Sequence, residues 1–279
     1  MGAPLGDFPQ FWTAFLYQFR SYLRTWRFVG LVIFVAIIAG AIFAVQAHNG
    51  VATVTTVHPD ASDELSTYLA LVVDASILTG ALLGGDALAV DLQGGPGYLM
   101  LTQPVRRRTL FAGRFAAAAV TGCVVISVYY LFAAGVSEYF YQTIPGALAV
   151  SLGLAFLFIL ATLAVAFFFS SFFRSPTVGI VASVLILLLA FPTLTSVGTL
   201  GGVEPWFSLD YGSTAIVDVL MSNFVHESVQ HLSLGKKGGS LTIYSWYPYP
   251  WEGALIMAAY LVGFLAVSYV IYRYKEVKG

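Results

Sequence analysis

Charge is scarce in this sequence. Asp, Glu, Lys and Arg make up 10% of its 279 residues, whereas a soluble domain carries about 25%, so there is too little charge to coat a globular surface. The formal net charge is −1 and no basic cluster is interleaved with aromatics, which gives a nucleic-acid partner no footing. Cysteine is almost absent. Cys123 stands alone in an apolar run, so neither an intramolecular disulfide nor a cysteine-based metal site can form. Four Met and one Cys also argue against a thiol- or thioether-lined copper route. Catalytic signatures are missing as well: there is no HExxH and no GxSxG. The stretches Gly94-Gly95-Pro96-Gly97 and Gly235–Gly239 lack the spacing of a phosphate-cradling loop, so any ATP-driven motor must be a separate polypeptide. No catalytic, cofactor-binding or metal-binding residue is assigned, and the chain does not read as an enzyme.

What is abundant is apolar sequence. Hydrophobic residues make up 58% of the chain and the mean hydropathy is +0.83. Six runs reach the roughly 20 residues that a helix needs to cross a hydrocarbon core: Phe28–Ala47, Thr67–Val90, Leu110–Tyr139, Gly146–Phe173, Pro176–Leu200 and Trp251–Tyr272. Helix is required because hydrocarbon offers the backbone no hydrogen-bond partner, and the alternation of a lipid-facing barrel is absent. The third and fourth runs exceed the bilayer and should tilt or protrude. The predicted fold is an all-α polytopic membrane protein forming a single transmembrane domain over 1–279.

Positive charge orients the bundle. With six spans, Arg20, Arg24, Arg27, Arg106, Arg107, Arg108, Arg114, Arg174, Arg273, Lys275 and Lys278 fall on one side, leaving Lys236 and Lys237 opposite. Both termini are therefore expected in the cytoplasm. The first span is read as a retained anchor, because the 27 residues before it are too long and too aromatic for a signal peptide.

In the N-terminal segment (1–27), Phe8, Trp12, Phe15, Phe19, Tyr22 and Trp26 recur at intervals of four and three, one stripe of a helix with the arginines off it. This fits an amphipathic helix in the cytoplasmic headgroup layer, its rings in the acyl boundary, or one packed on neighbouring helices. Spans one to five occupy 28–200, with a coupling loop at 91–109. The segment 201–250 is expected outside the membrane, with Ile216, Leu220, Phe224, Val225 and Leu232 marking an amphipathic helix. Trp246, Tyr247, Tyr249 and Trp251 form an interfacial belt before the last span and tail, 251–279. All four histidines lie in external segments. His226 and His231 have no third ligand near them in sequence and read as solvent-facing. Asp74 and Asp86 lie within the second span, where a charge costs about 3 kcal/mol. Twelve residues apart, they sit about 120° apart around a helix and cannot form one paired site.

The most specific segment runs from Asp86 to Arg114. A membrane helix meets an acid, breaks at glycines and resumes as a short apolar piece with Tyr98, Leu99 and Leu101. Pro104 stops that piece, an arginine cluster follows, and Gly113-Arg114 opens the next span. Physically this is a short cytoplasmic coupling helix parallel to the membrane, hinged by glycine and anchored by arginine. It resembles the ABC-2 family of ABC-transporter permeases, whose second and third spans are joined by an acid, a glycine, a leucine-rich LLT-P stretch and an R–GR pattern. Asp91 takes the acid position, where the family usually carries Glu; Gly95 or Gly97 takes the glycine, and Leu99 to Pro104 the leucine-rich stretch. Arg107 or Arg108 and Gly113-Arg114 complete the match.

The resemblance implies the membrane subunit of an ATP-driven exporter in a prokaryotic plasma membrane. It pairs with a second copy or a paralogue and with a cytoplasmic ABC ATPase that holds ATP and Mg. The implied coupling residues are Asp91, Gly95, Gly97, Tyr98, Leu99, Leu101, Pro104, Arg106, Arg107 and Arg108. Trp12, Phe15, Phe19, Arg20, Tyr22, Arg24 and Trp26 form the interfacial helix. Two alternatives stand beside this one. One is an anchor or signalling scaffold coupled to an ATPase without moving a solute. The other is a secondary carrier using Asp74 and Asp86, which leaves the Asp91–Arg114 pattern unexplained. The spans offer only Ser151, Thr162, Ser183, Thr193 and Thr195 as scattered polar spots, an apolar lining suited to a lipid, peptide or hydrophobic drug.

Overall fold

The computed structural model describes residues 7–49, 61–89, 106–221, 224–234 and 239–274. Helix α1 covers Asp7–Arg24 and α2 Trp26–Asn49, with a bend at Thr25 between them. Span two consists of α3 (Ala61–Leu69) and α4 (Val72–Gly84). Helices α5 (Arg107–Tyr141) and α6 (Ala147–Phe172) follow. Span five is α7 (Pro176–Leu185), a π-helical turn (Ile186–Ala190) and α8 (Phe191–Leu200). Helix α9 (Leu209–Asp218) and an antiparallel hairpin, β1 (Glu227–Leu234) and β2 (Gly239–Trp246), precede α10 (Pro250–Tyr274).

Six of these helical stretches are long and apolar enough to cross a membrane: Phe28–His48, Leu65–Gly84, Arg107–Tyr141, Ala147–Phe172, Pro176–Leu200 and Pro250–Tyr274. They coincide with the six expected runs, except that span two ends at Gly84 instead of reaching Val90. Two consecutive glycines weaken the helix there, and the N–H groups of Leu88 and Ala89 turn to the Ser170 hydroxyl at 2.9 and 3.0 Å. Helix α5 is the longest element at 35 residues. At about 1.5 Å per residue it reaches roughly 50 Å, well beyond the roughly 30 Å hydrocarbon layer.

Helix α6 is the hub of the bundle and packs against α4, α5, α7, α9 and α10. Small residues set its contact with α4: a Cβ on Gly80 would lie 3.0 Å from Thr162 Cβ, and one on Gly84 2.8 Å from Ala166 Cβ. Glycines four apart let two backbones approach closely, which drives helix association where lipid removes the hydrophobic incentive. Helix α2 is peripheral. Among its described side chains only Leu31, Val35 and Ala39, one i, i+4 line, are buried, while Ile33, Phe34 and Ile37 stay exposed. The break between α3 and α4 is stitched by tyrosines: Tyr129 donates to the Tyr68 carbonyl at 2.7 Å and Tyr68 to the Ala39 carbonyl at 2.9 Å. In span five, Pro192 lacks the N–H that would continue the α ladder. The π turn just before it, in which Phe191 N–H reaches back to the Ile186 carbonyl, takes up the mismatch.

The region between spans five and six departs from the expected single helix. Helix α9 contains Ile216 but ends at Asp218. Leu220 lies buried in the turn beyond it, Phe224 and Val225 follow the helix, and Leu232 is on β1 paired with Leu241. The sequence here alternates instead of repeating every three or four residues, and β2 is rich in Thr, Ile, Tyr and Trp, residues that suit a pleated strand. Arg106, Arg107, Arg108, α1 and the end of α10 gather at one end of the bundle, and the hairpin lies at the other.

Candidate functional site

Eight hydrogen bonds converge at the arginine-rich end, on the two flanks of the span two to span three connection. On the leading flank, Tyr22 of α1 donates to the Leu83 carbonyl at 2.9 Å. The Ser170 hydroxyl accepts from Leu88 and Ala89, and Arg114, only 5% exposed, donates to the Ala87 carbonyl at 2.9 Å. On the trailing flank, Arg106 N–H donates to the Gln10 side chain at 3.3 Å. Its guanidinium reaches Asp7 at 3.0 Å, and Arg108 donates to the same carboxylate. Arg107 donates to the Arg273 carbonyl of α10 at 3.0 Å. The two flanks are thus tied to α1, α5, α6 and α10 together.

The arginines are on the unfavourable end of α5. A helix N-terminus carries about half a positive charge, and Arg106, Arg107 and Arg108 open it. Asp7 offsets part of that repulsion, yet such exposed pairs contribute only about 0–1 kcal/mol. Helix stability therefore does not explain three cations here.

Helix α1 lies on α5 at backbone contact. A Cβ on Gly113 would fall 2.9 Å from Ala14 Cβ, 3.1 Å from Phe15 N and 3.2 Å from Phe11 O. The aromatic stripe is split by this packing. Phe15, Phe19 and Tyr22 are half-buried, with Trp12, Phe15 and Phe19 stacked in succession at 5.4 and 5.7 Å, while Phe8, Trp12 and Trp26 are exposed. Packing and an exposed aromatic face therefore coexist. Arg20 and Arg24 are exposed beside Thr13, Tyr17 and Ser21 along a groove of about 590 Å³. Among the expected coupling residues, Asp91, Gly95, Gly97, Tyr98, Leu99, Leu101 and Pro104 lie outside the described residues.

Of the two acids expected within the second span, Asp74 is on α4 but Asp86 lies beyond Gly84, where the span ends, so helical spacing does not set their separation. Asp86 is 8% exposed at the arginine-rich end, whereas Asp74 is exposed in the first turn of α4. Near Asp74 is Asp210 of α9. Burial raises its carboxyl above the ordinary value, a Thr195 hydroxyl offsets part of this, and the Asp74 charge adds to it. Of the scattered polar spots, Ser151, Thr162 and Ser183 are buried within the chain, bonded to the carbonyls of Ile216, Ile159 and Gly179. Their hydroxyls are thus used within the bundle. Sequence reading missed Asp7, Gln10, Gly113 as a contact point and Ser170. None of these four carries a local signal, whereas the Gly80/Gly84 contact with α6, also missed, had one in its four-residue spacing.

The sequence profile of the family described as ABC-2 family transporter protein matches residues 12–277, from the second turn of α1 to the tail after α10. No curated relative matches the sequence. A profile covering nearly the whole chain, on six membrane-length helices, places the protein in the ABC-2 transporter family, as a multi-pass membrane subunit of an ABC transporter.

Proposed function

We propose that the chain is half of the membrane domain of an ATP-driven exporter, paired with a second copy or paralogue and driven by a separate ABC ATPase. In this reading the arginine-rich end faces the cytoplasm, which the 11-to-2 distribution of Lys and Arg supports. The ATPase engages the connection between Ala89 and Arg106. The observation that carries this is the set of ties flanking that connection. Closure of an ATPase pair delivers a push at the membrane surface, and a push becomes transport only if it moves several helices at once. Here Asp7 and Gln10 lead it into α1, Arg107 into α10, and Ser170 into the central α6. An expelled substrate would meet mostly Phe, Leu, Val and Ala, which favours a lipid or another hydrophobic molecule.

The direct test is copurification with an ATPase encoded beside this chain, followed by ATP-driven efflux from proteoliposomes. Reversing Asp91, or Arg106 to Arg108 together, should cut both copurification and stimulated ATPase rate severalfold. Unchanged values for both would end the coupling proposal. Intact ATPase coupling with no movement of any lipid or hydrophobic solute would favour the scaffold role.

A further inference from the structure

At the hairpin end, far from the coupling region, three residues distant in sequence converge: Glu204 after α8, His226 just before β1 and Glu252 in the first turn of α10. Each can offer one ligand atom, and these atoms all lie within 4.8 Å of one another. We propose that Glu204, His226 and Glu252 form a binding site for a divalent transition-metal ion of the zinc class.

The imidazole is set up as a ligand. Its Nδ1 is 2.8 Å from the Tyr247 carbonyl, which can only accept, so Nδ1 carries the proton. In the neutral ring that leaves the lone pair on Nε2, which lies 3.9 Å from Glu204 Oε1. A ligating histidine characteristically gives its other N–H to a carbonyl or carboxylate in this way, fixing both tautomer and orientation. The ring plane is further held by Tyr249, stacked at 4.9 Å and 15°, and by the edge of Trp246 at 5.9 Å. The carboxylates are held as well. Tyr211 donates to Glu204 Oε1 at 2.6 Å, and the Tyr249 N–H donates to Glu252 Oε2 at 3.0 Å.

Charge points the same way. Among the described residues no Lys or Arg pairs with Glu204 or Glu252. Zinc bonds of about 2.0–2.2 Å in a tetrahedron place neighbouring ligand atoms roughly 3.3 Å apart. Side-chain rotations that draw the carboxylates in by about 1 Å therefore complete three positions, leaving the fourth for water. One imidazole with two carboxylates suits zinc over calcium or magnesium, which take all-oxygen sites. The bound ion would fasten the hairpin to the outgoing end of span five and the incoming end of span six.

The test is zinc binding to the tag-free, full-length chain in detergent, stripped with chelator and titrated with Zn2+. One zinc per chain is expected, with a rise of a few degrees in melting temperature. Binding should persist under a large excess of Ca2+ or Mg2+. His226→Ala, Glu204→Gln and Glu252→Gln should each weaken it by at least about tenfold, the loss that even an outer-shell partner's removal causes. His48→Ala and His231→Ala should leave it unchanged. The proposal is overturned if the parent chain takes up no zinc, or if uptake survives all three ligand substitutions. A variant that loses binding supports it only if its melting temperature in chelator equals the parent's. If none of the three keeps that temperature, cobalt bound to the parent decides: a tetrahedral nitrogen–oxygen spectrum upholds the site, and an octahedral one overturns it.

Discussion

Asp218 closes α9 with 4% of its surface exposed, and its Oδ2 has no hydrogen-bond partner among the described residues. Burial pushes its carboxyl from 3.8 up to about 7, with Thr214 offsetting a little. A raised folded-state value means the neutral form suits the fold. Its contribution to stability is complete below about pH 4 and is lost as pH rises through about 7. Asp218→Asn should therefore raise the melting temperature by several degrees at pH 8 and leave it unchanged at pH 4. Equal shifts at both pH values would show that charge is not the cause. Ser170 is the opposite case, a polar group fully used. Ser170→Ala strands two buried N–H groups, at about 1–3 kcal/mol each. It should speed amide hydrogen exchange at Leu88 and Ala89 with little change elsewhere in α6.

Contact between elements is decided by a few small side chains. Helix α1 reaches α5 only because Gly113 has no Cβ, and the neighbouring atoms include backbone that cannot rotate away. Gly113→Leu should detach α1 while spans two to six remain folded. Spin labels at Tyr17→Cys and Ala112→Cys, in a Cys123→Ser background, would report it as a longer and broader distance. A distance matching the parent's would refute close packing at Gly113. The α1 stripe was legible in the sequence as a three-and-four rhythm, but its division into packed and exposed rings was not, because periodicity reports a face without naming what covers it. The hairpin was misread for a related reason. Ile216 and Leu220 suit a helix, and only pairing between β1 and β2, a nonlocal contact, determines how the following residues are used.

For the whole molecule, the proposed orientation rests on the distribution of Lys and Arg, with the arginine-rich end in the cytoplasm. In intact cells a membrane-impermeant thiol reagent should label Val225→Cys, at the hairpin end, and spare Tyr17→Cys on α1. The reverse pattern would invert the topology and remove the basis for an ATPase at the arginine-rich end.

Six spans, their even parity and the family pattern were all present in the sequence, because each rests on local quantities: run length, apolar content and charge near the ends of a helix. The hub position of α6, the clasp of Asp7, Gln10 and Arg106, and the union of Glu204, His226 and Glu252 belong to the tertiary structure alone. Their members are remote along the chain, and no local periodicity records which helix ends will meet. Close approach at Gly80 and Gly84 brings α4 onto α6, and at Gly113 α1 onto α5, contacts set by packing between helices.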